Sequence, residues 1–336
     1  MPAHQLTPRG PAQVEAAVLR VLADTPIEDA ANSACLDSTE LATAVDLYRQ
    51  AGRDALHQQT DHTCWQAYIE FADWTAAETV ISRHLAPTLR STEPHGVTWW
   101  FIRKYPCWRL RLHHDPSRGN PGTEIADLLD ELTASGEIKR WWRGLYEPET
   151  AAFGGVQAMN TAHTLFHADS GFILQNPIGQ QQELGRRELS MLLCASMFHA
   201  AGLEWYEMGD VWQKVARERP IPSNLPDHRL EQIADQIRPL LLADTAPEGP
   251  LFHNNGPAAY AAAWADAFRA AGTALGTGSR AGELERGLRQ VLAYHVIFHW
   301  NRLGLSADFQ AALSHAAARA VLAETTESTT ATALHR

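Results

Sequence analysis

The sequence has few cysteines and none in a paired motif. Cys35, Cys64, Cys107 and Cys194 are scattered among 336 residues without a CxxC spacing. We therefore expect reduced thiols rather than a disulfide framework. No apolar run approaches the roughly 18 to 20 residues of a membrane span, and the N-terminus MPAHQLTPRGPAQVE lacks an apolar signal segment. These absences predict a cytoplasmic protein with no membrane partner.

The sequence also lacks an excess of basic charge. It contains 28 Lys and Arg against 39 Asp and Glu, for a net charge of −11. Nucleic-acid binding requires a basic footprint, so we expect no nucleic-acid partner, although a local cationic pocket remains compatible with this balance. There is no phosphate-cradling glycine motif, no GxSxG elbow and no HExxH motif. The short run 276–279, GTGS, is predicted to be a flexible loop.

Strand-like and helical patterns alternate without a regular βαβ repeat, which predicts an α+β fold with an antiparallel or mixed sheet flanked by helices. Strands are predicted at 64–71, around 99–113 and at 138–149. Between them, DWTAAETVISRHLAPTLR is predicted to be a helix that closes near Pro87. The predicted domains are an N-terminal helical segment (1–60), a catalytic domain (61–320) and a disordered tail (321–336).

The most unusual stretch is WWFIRKYPCWRLRLHH at 99–114. Strand alternation places Trp99 and Arg103 on one face, and Arg109 and Arg111 share a face after the Pro corner. The three arginines could project into one pocket and hold a carboxylate or phosphate bidentately. The alternative is an edge hairpin with a solvated charged face, but the dense tryptophans favour a binding cleft.

Two helical histidine pairs share the spacing HxxFH: His163 with His167, and His295 with His299. An i,i+4 pair could form half of a zinc site, with Asp169 close to the first pair. Neither pair has a cysteine nearby at ligand spacing, so we favour partly buried hydrogen-bonding or acid–base groups and expect no metal and no cofactor.

Two further segments carry candidate polar groups. In YEPETAAFGG, Glu147 and Glu149 precede paired glycines that permit a tight backbone corner. In HADS, predicted to end a helix, Asp169 and Ser170 are first interpreted as a structural cap. Neither segment identifies a reaction by itself.

Taken in order, WQAYIEF, WWFIRKYPCWRLRLHH, GLYEPETAAFGGVQAMNTAHTLFHADS and YHVIFHWNRLGL resemble a known family. Over roughly 60–310 the chain is similar to the thiopeptide-type bacteriocin biosynthesis domain, related to the C-terminal elimination domain of nisin-type lantibiotic dehydratases. The resemblance implies work on ribosomal peptides with an N-terminal leader. One branch removes glutamate from glutamylated Ser or Thr. Another joins two dehydroalanines in a formal [4+2] cycloaddition, forms a pyridine and expels the leader.

Departures from the elimination pattern favour the second branch. The E-x-x-R-Y-G-G motif keeps Glu149 but has Ala152 and Phe153 in place of its arginine and tyrosine. In the elimination pattern a histidine lies four residues before the Asn-Arg of the last block, and the corresponding residue here is Ile297. That pattern often has an acidic residue before the LF..DS segment, and the corresponding residue here is His163. The resemblance, read with these departures, implies a pyridine synthase.

On this interpretation we expect acid–base roles for a small group of side chains near the cleft. The catalytic candidates are Tyr294, His299, Glu149, His163 and Tyr68. The substrate-binding candidates are Arg103, Arg109, Arg111, Trp99, Asp169, Ser170 and Asn301.

The expected partners are a precursor peptide with a leader and a dehydroalanine- and azole-containing core, together with upstream dehydratase and azole-forming enzymes. KRWWRGLY at 139–146 is one possible leader-docking segment and equally a packed strand. The alternative functions are a glutamate-elimination subunit of a split dehydratase, a non-catalytic precursor-binding partner and, last, a metal hydrolase.

Overall fold

The computed structural model describes residues 11–60, 63–176, 184–222 and 225–323. The chain divides into two compact units, Met1–His62 and Thr63–Arg336. In the first, α1 (Pro11–Leu22), α2 (Ile27–Ser33) and α3 (Ser38–Thr60) enclose a small apolar core. Asp37 caps α3, because its Oδ1 accepts the backbone N–H groups of Thr39 and Glu40.

The second unit contains a four-stranded antiparallel sheet in the order β2-β3-β1-β4. Its strands are β1 (Cys64–Phe71), β2 (Thr98–Lys104), β3 (Cys107–His113) and β4 (Ile138–Gly144). β2 and β3 form a hairpin around Tyr105 and Pro106, as the sequence predicts. With helices around this sheet, the predicted α+β fold is confirmed.

Helices flank the sheet and build most of the core. A continuous helical segment over 77–92 comprises α4 (Ala77–Val80), a π-helical turn (Ile81–Leu85) and α5 (Ala86–Thr92). The others are α6 (Gly122–Ala134), α7 (Val156–Gln175), α8 (Arg186–Ala201), α9 (Trp205–Arg217), α10 (Asp227–Leu241), α11 (Ala262–Arg280), α12 (Leu288–Leu303) and α13 (Ala307–Leu322). Among the residues described, no helix is both long and apolar enough to cross a bilayer.

Several local predictions are wrong. GTGS at 276–279 lies inside α11, where Gly276 lets that helix approach the backbone of Ala201 on α8. Pro87 lies inside the continuous helical segment 77–92, directly after the π-helical turn, rather than ending a helix. HADS lies within α7, which continues to Gln175. α13 extends to Leu322, past the predicted start of the tail at 321, and residues 324–336 lie outside the described residues.

The two faces of the sheet have different chemistry. One face carries buried apolar side chains, among them Trp99, Phe101, Trp108 and Leu110, which belong to the main core. The register pairs Trp100 with Arg111 and therefore turns these two residues to the opposite face. That opposite face carries most of the polar residues on which the candidate site is built.

Candidate functional site

Cross-strand pairing on this face brings two polar rows together. Gln66 lies opposite Arg111, and Tyr68 lies opposite Arg109. Nε of Arg111 donates to Oε1 of Gln66 at 2.7 Å, while Nε2 of Gln66 donates to the carbonyl of Leu145 at 2.8 Å. Gln66 therefore fixes the Arg111 guanidinium and ties it to the segment that follows β4. We call the group formed by Gln66, Tyr68, Arg109, Arg111, Tyr146, Glu149 and His163 the sheet-face cluster.

Tyr146 connects Arg111 to α7. The Arg111 guanidinium lies 4.3 Å from the centre of the Tyr146 ring, in the geometry of a cation–π contact. The Tyr146 hydroxyl lies 2.7 Å from Nε2 of His163. Trp100 packs against both partners, with its ring centre 4.8 Å from that of His163 and 5.5 Å from that of Tyr146. The arrangement is a rigid phenol–imidazole pair beside a buried cation.

The electrostatics keep this pair neutral. Burial, with smaller contributions from His113 and Arg111, lowers the pKa of His163 to about 4. Burial raises the pKa of Tyr146, although the nearby Arg111 acts in the opposite direction. At neutral pH the phenol therefore keeps its proton and donates it to an unprotonated Nε2, which places the imidazole proton on Nδ1. The pair can pass a proton along without carrying a net charge.

A second row extends this surface toward β4. The rings of Tyr68 and Trp142 stack at 5.4 Å with an interplanar angle of 3°. The Arg109 guanidinium lies 5.1 Å from the centre of the Tyr68 ring, and that of Arg140 lies 5.2 Å from the centre of the Trp142 ring. Nε of Arg109 is buried without a hydrogen-bond partner. The row combines flat aromatic surface with guanidinium groups that can donate hydrogen bonds to a further acceptor.

Glu149 and Tyr294 complete the surroundings. Glu149 is near enough to influence the pKa values of Arg111 and Tyr146, and its Oε2 is buried without a hydrogen-bond partner. Tyr294 is half-buried, with its ring 6.3 Å from that of Phe153 and the Arg286 guanidinium 5.1 Å from its centre. An apolar wall separates Tyr294 from the phenol–imidazole pair. This wall contains Trp100, Phe153, Met159, Ala162 and Phe166.

The prediction that three arginines share a pocket is wrong for Arg103. Its side chain lies on the opposite face of the sheet and forms a 2.6 Å ion pair with Glu78. Arg186 binds both carboxylate oxygens of Glu78, so the pair is a buried clamp between β2 and the helices. Trp99 is also on that face, fully buried, with Nε1 donating to Glu93 at 2.9 Å. Neither residue is exposed to a substrate.

The substrate-binding prediction for Ser170 is likewise contradicted. Its fully buried Oγ accepts the backbone N–H of Phe101 at 3.2 Å. Nδ1 of His167 lies 2.9 Å from the carbonyl oxygen of Trp99. These two α7 side chains bind the backbone of the edge strand β2. The HADS segment therefore closes one edge of the sheet.

Asp169 and His299 belong to a buried network rather than to the site. Oδ1 of Asp169 lies 2.9 Å from Nδ1 of His299, and Oδ2 accepts from Nε of Arg302 at 2.6 Å. Nε2 of His299 lies 3.0 Å from Oγ of Ser190. The order Ser–His–Asp is that of a hydrolase triad, but all three residues are fully buried. The structure therefore places His299 and Asp169 inside this buried network and does not bring them to the sheet-face cluster.

The last two candidates also have internal roles. Oδ1 of Asn301 accepts a hydrogen bond from Gln310 of α13, which directs it away from the sheet. His295 is fully buried against Phe153 and Phe166, and burial lowers its pKa to about 3. The two histidines of each HxxFH pair thus have different contacts. The ranges that are described contain no group of three or more potential metal ligands.

Of the residues that the sequence predicts for the site, the fold brings together Tyr68, Arg109, Arg111, Glu149 and His163. Gln66, Tyr146 and Trp142 are not among the residues predicted for the site. Gln66 alternates with Tyr68 on β1 and thus shares its face, which was a usable signal. Tyr146 follows β4, where no periodicity indicates the direction of a side chain.

Comparison with known proteins places this geometry in context. The family described as "Lantibiotic biosynthesis dehydratase C-term" matches residues 65–321. No curated protein sequence matches the chain.

Two solved structures share the fold. The tRNA-dependent lantibiotic dehydratase MibB from Microbispora sp. 107891 matches with a TM-score of 0.60 and 18% identity, over 78% of this chain and 28% of MibB. TsrL matches with a TM-score of 0.51 and 17% identity, over 77% of this chain and 94% of TsrL. The chain thus corresponds to little more than a quarter of MibB and to nearly all of TsrL.

Proposed function

Because this chain belongs to the family of lantibiotic biosynthesis dehydratase C-terminal domains, we propose that it modifies a leader-bearing ribosomal peptide as a pyridine synthase. The proposed reaction joins two dehydroalanines in a formal [4+2] cycloaddition. Loss of water and expulsion of the leader then complete the pyridine. The sheet-face cluster is the proposed centre of this reaction.

The observation that carries the proposal is the apolar wall beside Glu149. Ala152 and Phe153 stand where the glutamate-eliminating branch has its arginine and tyrosine, and both pack into the cluster around Trp100. Ile297, at the position of that branch's histidine, is buried in the main core. At the positions of Ala152 and Phe153 a glutamyl carboxylate would meet hydrocarbon in place of the arginine and tyrosine of the eliminating branch, and a carboxylate left unpaired there costs several kcal/mol. This environment supports a neutral substrate.

The proposed chemistry requires proton movement but no strong acid or base. One dehydroalanine amide must become its imidic acid tautomer, in which a proton leaves nitrogen and another reaches the carbonyl oxygen. The Tyr146 hydroxyl oxygen can take the amide N–H proton while its own proton passes to Nε2 of His163 and the Nδ1 proton leaves to water. The carbonyl oxygen takes up a proton from water, so the substrate loses one proton and gains one. A neutral relay suits this site, because burial disfavours both the phenolate form of Tyr146 and the imidazolium form of His163.

The cations position the reacting groups. Arg111 is held by Gln66, so its remaining N–H groups are available to a dehydroalanine carbonyl. Tyr68 and Trp142 offer flat surface to azole rings of the core. Holding the two dehydroalanines in contact supplies several kcal/mol of barrier lowering, on the order of what intramolecular reactions gain. Glu149 is the proposed acceptor for a substrate N–H.

Mass spectrometry tests this function. The purified protein is incubated without cofactors with a leader-bearing peptide that contains two dehydroalanines. Loss of water together with a leader released as its carboxamide supports a pyridine synthase. If that peptide stays intact while a glutamylated serine peptide loses glutamate, the protein is an elimination subunit. Binding of the leader without any change in mass would indicate a non-catalytic partner.

A further inference from the structure

The two edges of the sheet differ in a way that the proposed site does not explain. At the β2 edge, α7 contributes His167 and Ser170 to the strand backbone. Within the described part of the chain, β4 pairs with β1 on its inner side and with no strand on its outer side. An open edge is a template for a further strand, and proteins usually cover or block it. This fold covers one edge and leaves the other.

The open edge is also strongly basic. Lys139, Arg140 and Arg143 are all exposed, and Trp142 is 40% exposed. Lys139 and Arg140 share one carboxylate, that of Glu70, at 2.7 and 2.6 Å. Arg143 has no ion-pair partner among the described residues. The acidic neighbours are Glu70 and Asp130, whose Oδ1 accepts from Nε1 of Trp141 at 2.8 Å, so the three cations still leave a net positive charge at this edge. An acidic strand therefore fits it better than a second copy of the same edge.

The end of β4 leads directly into the candidate site. Leu145, the residue after the strand, accepts a hydrogen bond from Gln66, and Tyr146 follows. Trp142 on the strand stacks on Tyr68 of the sheet-face cluster. A peptide that lies along β4 and runs toward the C-terminal end of that strand therefore arrives at Arg111 and His163.

We propose that the outer edge of β4 binds an extended, acidic segment of the substrate's leader by strand addition, with the leader parallel to β4. This inference rests on the proposed function. Strand pairing needs backbone N–H groups. The nitrogen atoms of azole rings in the core carry no hydrogen, so the leader is the segment that can pair. Because the leader precedes the core, only a parallel leader delivers the core to the end of β4.

Hydrogen exchange on the intact protein provides the first test, with the dehydroalanine peptide described above as the probe. We expect slower exchange over Lys139–Leu145 when the peptide is bound. Protection that appears only in the cavity of about 550 Å³ lined by α8, α10 and α13, which includes Met191, Ile233 and Phe309, would overturn the proposal. So would a dimer that forms through β4 without peptide, because a second copy would then fill the edge.

Two N-methylated versions of the leader test the pairing itself. Methyl groups on alternate residues block one set of N–H groups, and the second version blocks the other set. A strand on an edge uses only one set toward its neighbour, so one version should lose binding at least tenfold and the other should bind like the parent. Equal binding, or equal loss, of both versions would contradict strand addition.

A charge reversal tests the role of the basic edge. In Arg143→Glu we expect the KM for the leader-bearing peptide to rise about tenfold, the effect of roughly 1.4 kcal/mol. The matched control is Lys104→Glu, an exposed reversal on the opposite edge strand, which should leave KM unchanged. Product with an unaltered KM in Arg143→Glu refutes docking at β4 and leaves the proposed function standing. If the peptide slows hydrogen exchange in β4 but no pyridine product forms, the proposed function is refuted and docking at β4 is retained.

Discussion

The hydroxyl of Tyr146 lies 2.7 Å from Nε2 of His163. The two residues reach each other from different elements, Tyr146 from the segment after β4 and His163 from α7. Trp100 and Arg111 hold the phenol ring in place, and burial keeps the imidazole unprotonated. This contact is the main chemical feature of the sheet-face cluster and leads to the first two predictions.

Tyr146→Phe should lower kcat about a hundredfold, within the usual range for a lost acid–base group. The phenyl ring keeps its packing against Arg111 and Trp100, so the melting temperature should hardly change. Product formation by mass spectrometry and thermal unfolding measure the two effects. Tyr105→Phe is the control, because Tyr105 is 79% exposed at the β-hairpin turn. A kcat within twofold of wild type would remove Tyr146 from the mechanism.

The acid limb of the kcat profile should lie near pH 4. The pKa of His163 is lowered to about 4, so its imidazole stays neutral from pH 8 to about pH 5 and keeps accepting from Tyr146. Below that, protonation of Nε2 breaks the relay. The rate should be followed with circular dichroism at each pH, so that unfolding is recognised. An acid limb at about 6.5, the ordinary histidine value, would contradict the predicted environment.

Asp169→Asn should destabilise the protein by about 3 to 5 kcal/mol, since it leaves a buried Arg302 guanidinium without its carboxylate. Burial acts to raise the pKa of Asp169, but His299 and Arg302 outweigh it and hold that pKa below its ordinary value. Denaturant unfolding measures the loss. The control Asp127→Asn, an exposed position on α6, should be close to neutral.

The same network explains the expected behaviour of His299→Ala. Activity should fall in proportion to the folded fraction, because His299 is fully buried between Asp169 and Ser190. A fully folded His299→Ala variant without activity would return this residue to the list of catalytic candidates.

His295→Leu should flatten the dependence of stability on pH. The pKa of His295 is lowered to about 3 in the folded protein, against about 6.5 in the unfolded chain. Between these values the unfolded chain binds a proton here that the folded protein does not, so acid favours unfolding. Wild type should lose about 1.4 kcal/mol per pH unit more than the variant between about pH 6 and pH 4. Urea unfolding at several pH values measures this slope.

The control for that slope is His253→Leu, since His253 is exposed and its removal should leave the pH dependence as in wild type. If His295→Leu and wild type follow parallel lines from pH 6 to pH 4, the buried imidazole does not contribute to acid unfolding.

Some of the site was readable from the sequence. Alternation within CWRLRLH put Arg109 and Arg111 on one face, and the register confirms that arrangement. The glycine pair at 154 and 155 was predicted to permit a tight backbone corner, and both residues have positive φ directly before α7. The same reasoning failed for Arg103, because alternation within β2 does not say which of its faces matches that of β3.

The sequence by itself determined the elements, their amphipathic faces and the family, because strand and helix periodicity are local properties of the chain. Only the tertiary structure decided which faces meet. Asp169 and His299 are 130 residues apart, and their contact depends on how α7 packs on α12. Tyr146 and His163 likewise meet because β4 ends beside α7. Such contacts arise from long-range packing, which buries some polar residues completely and leaves others at the sheet face where chemistry is possible.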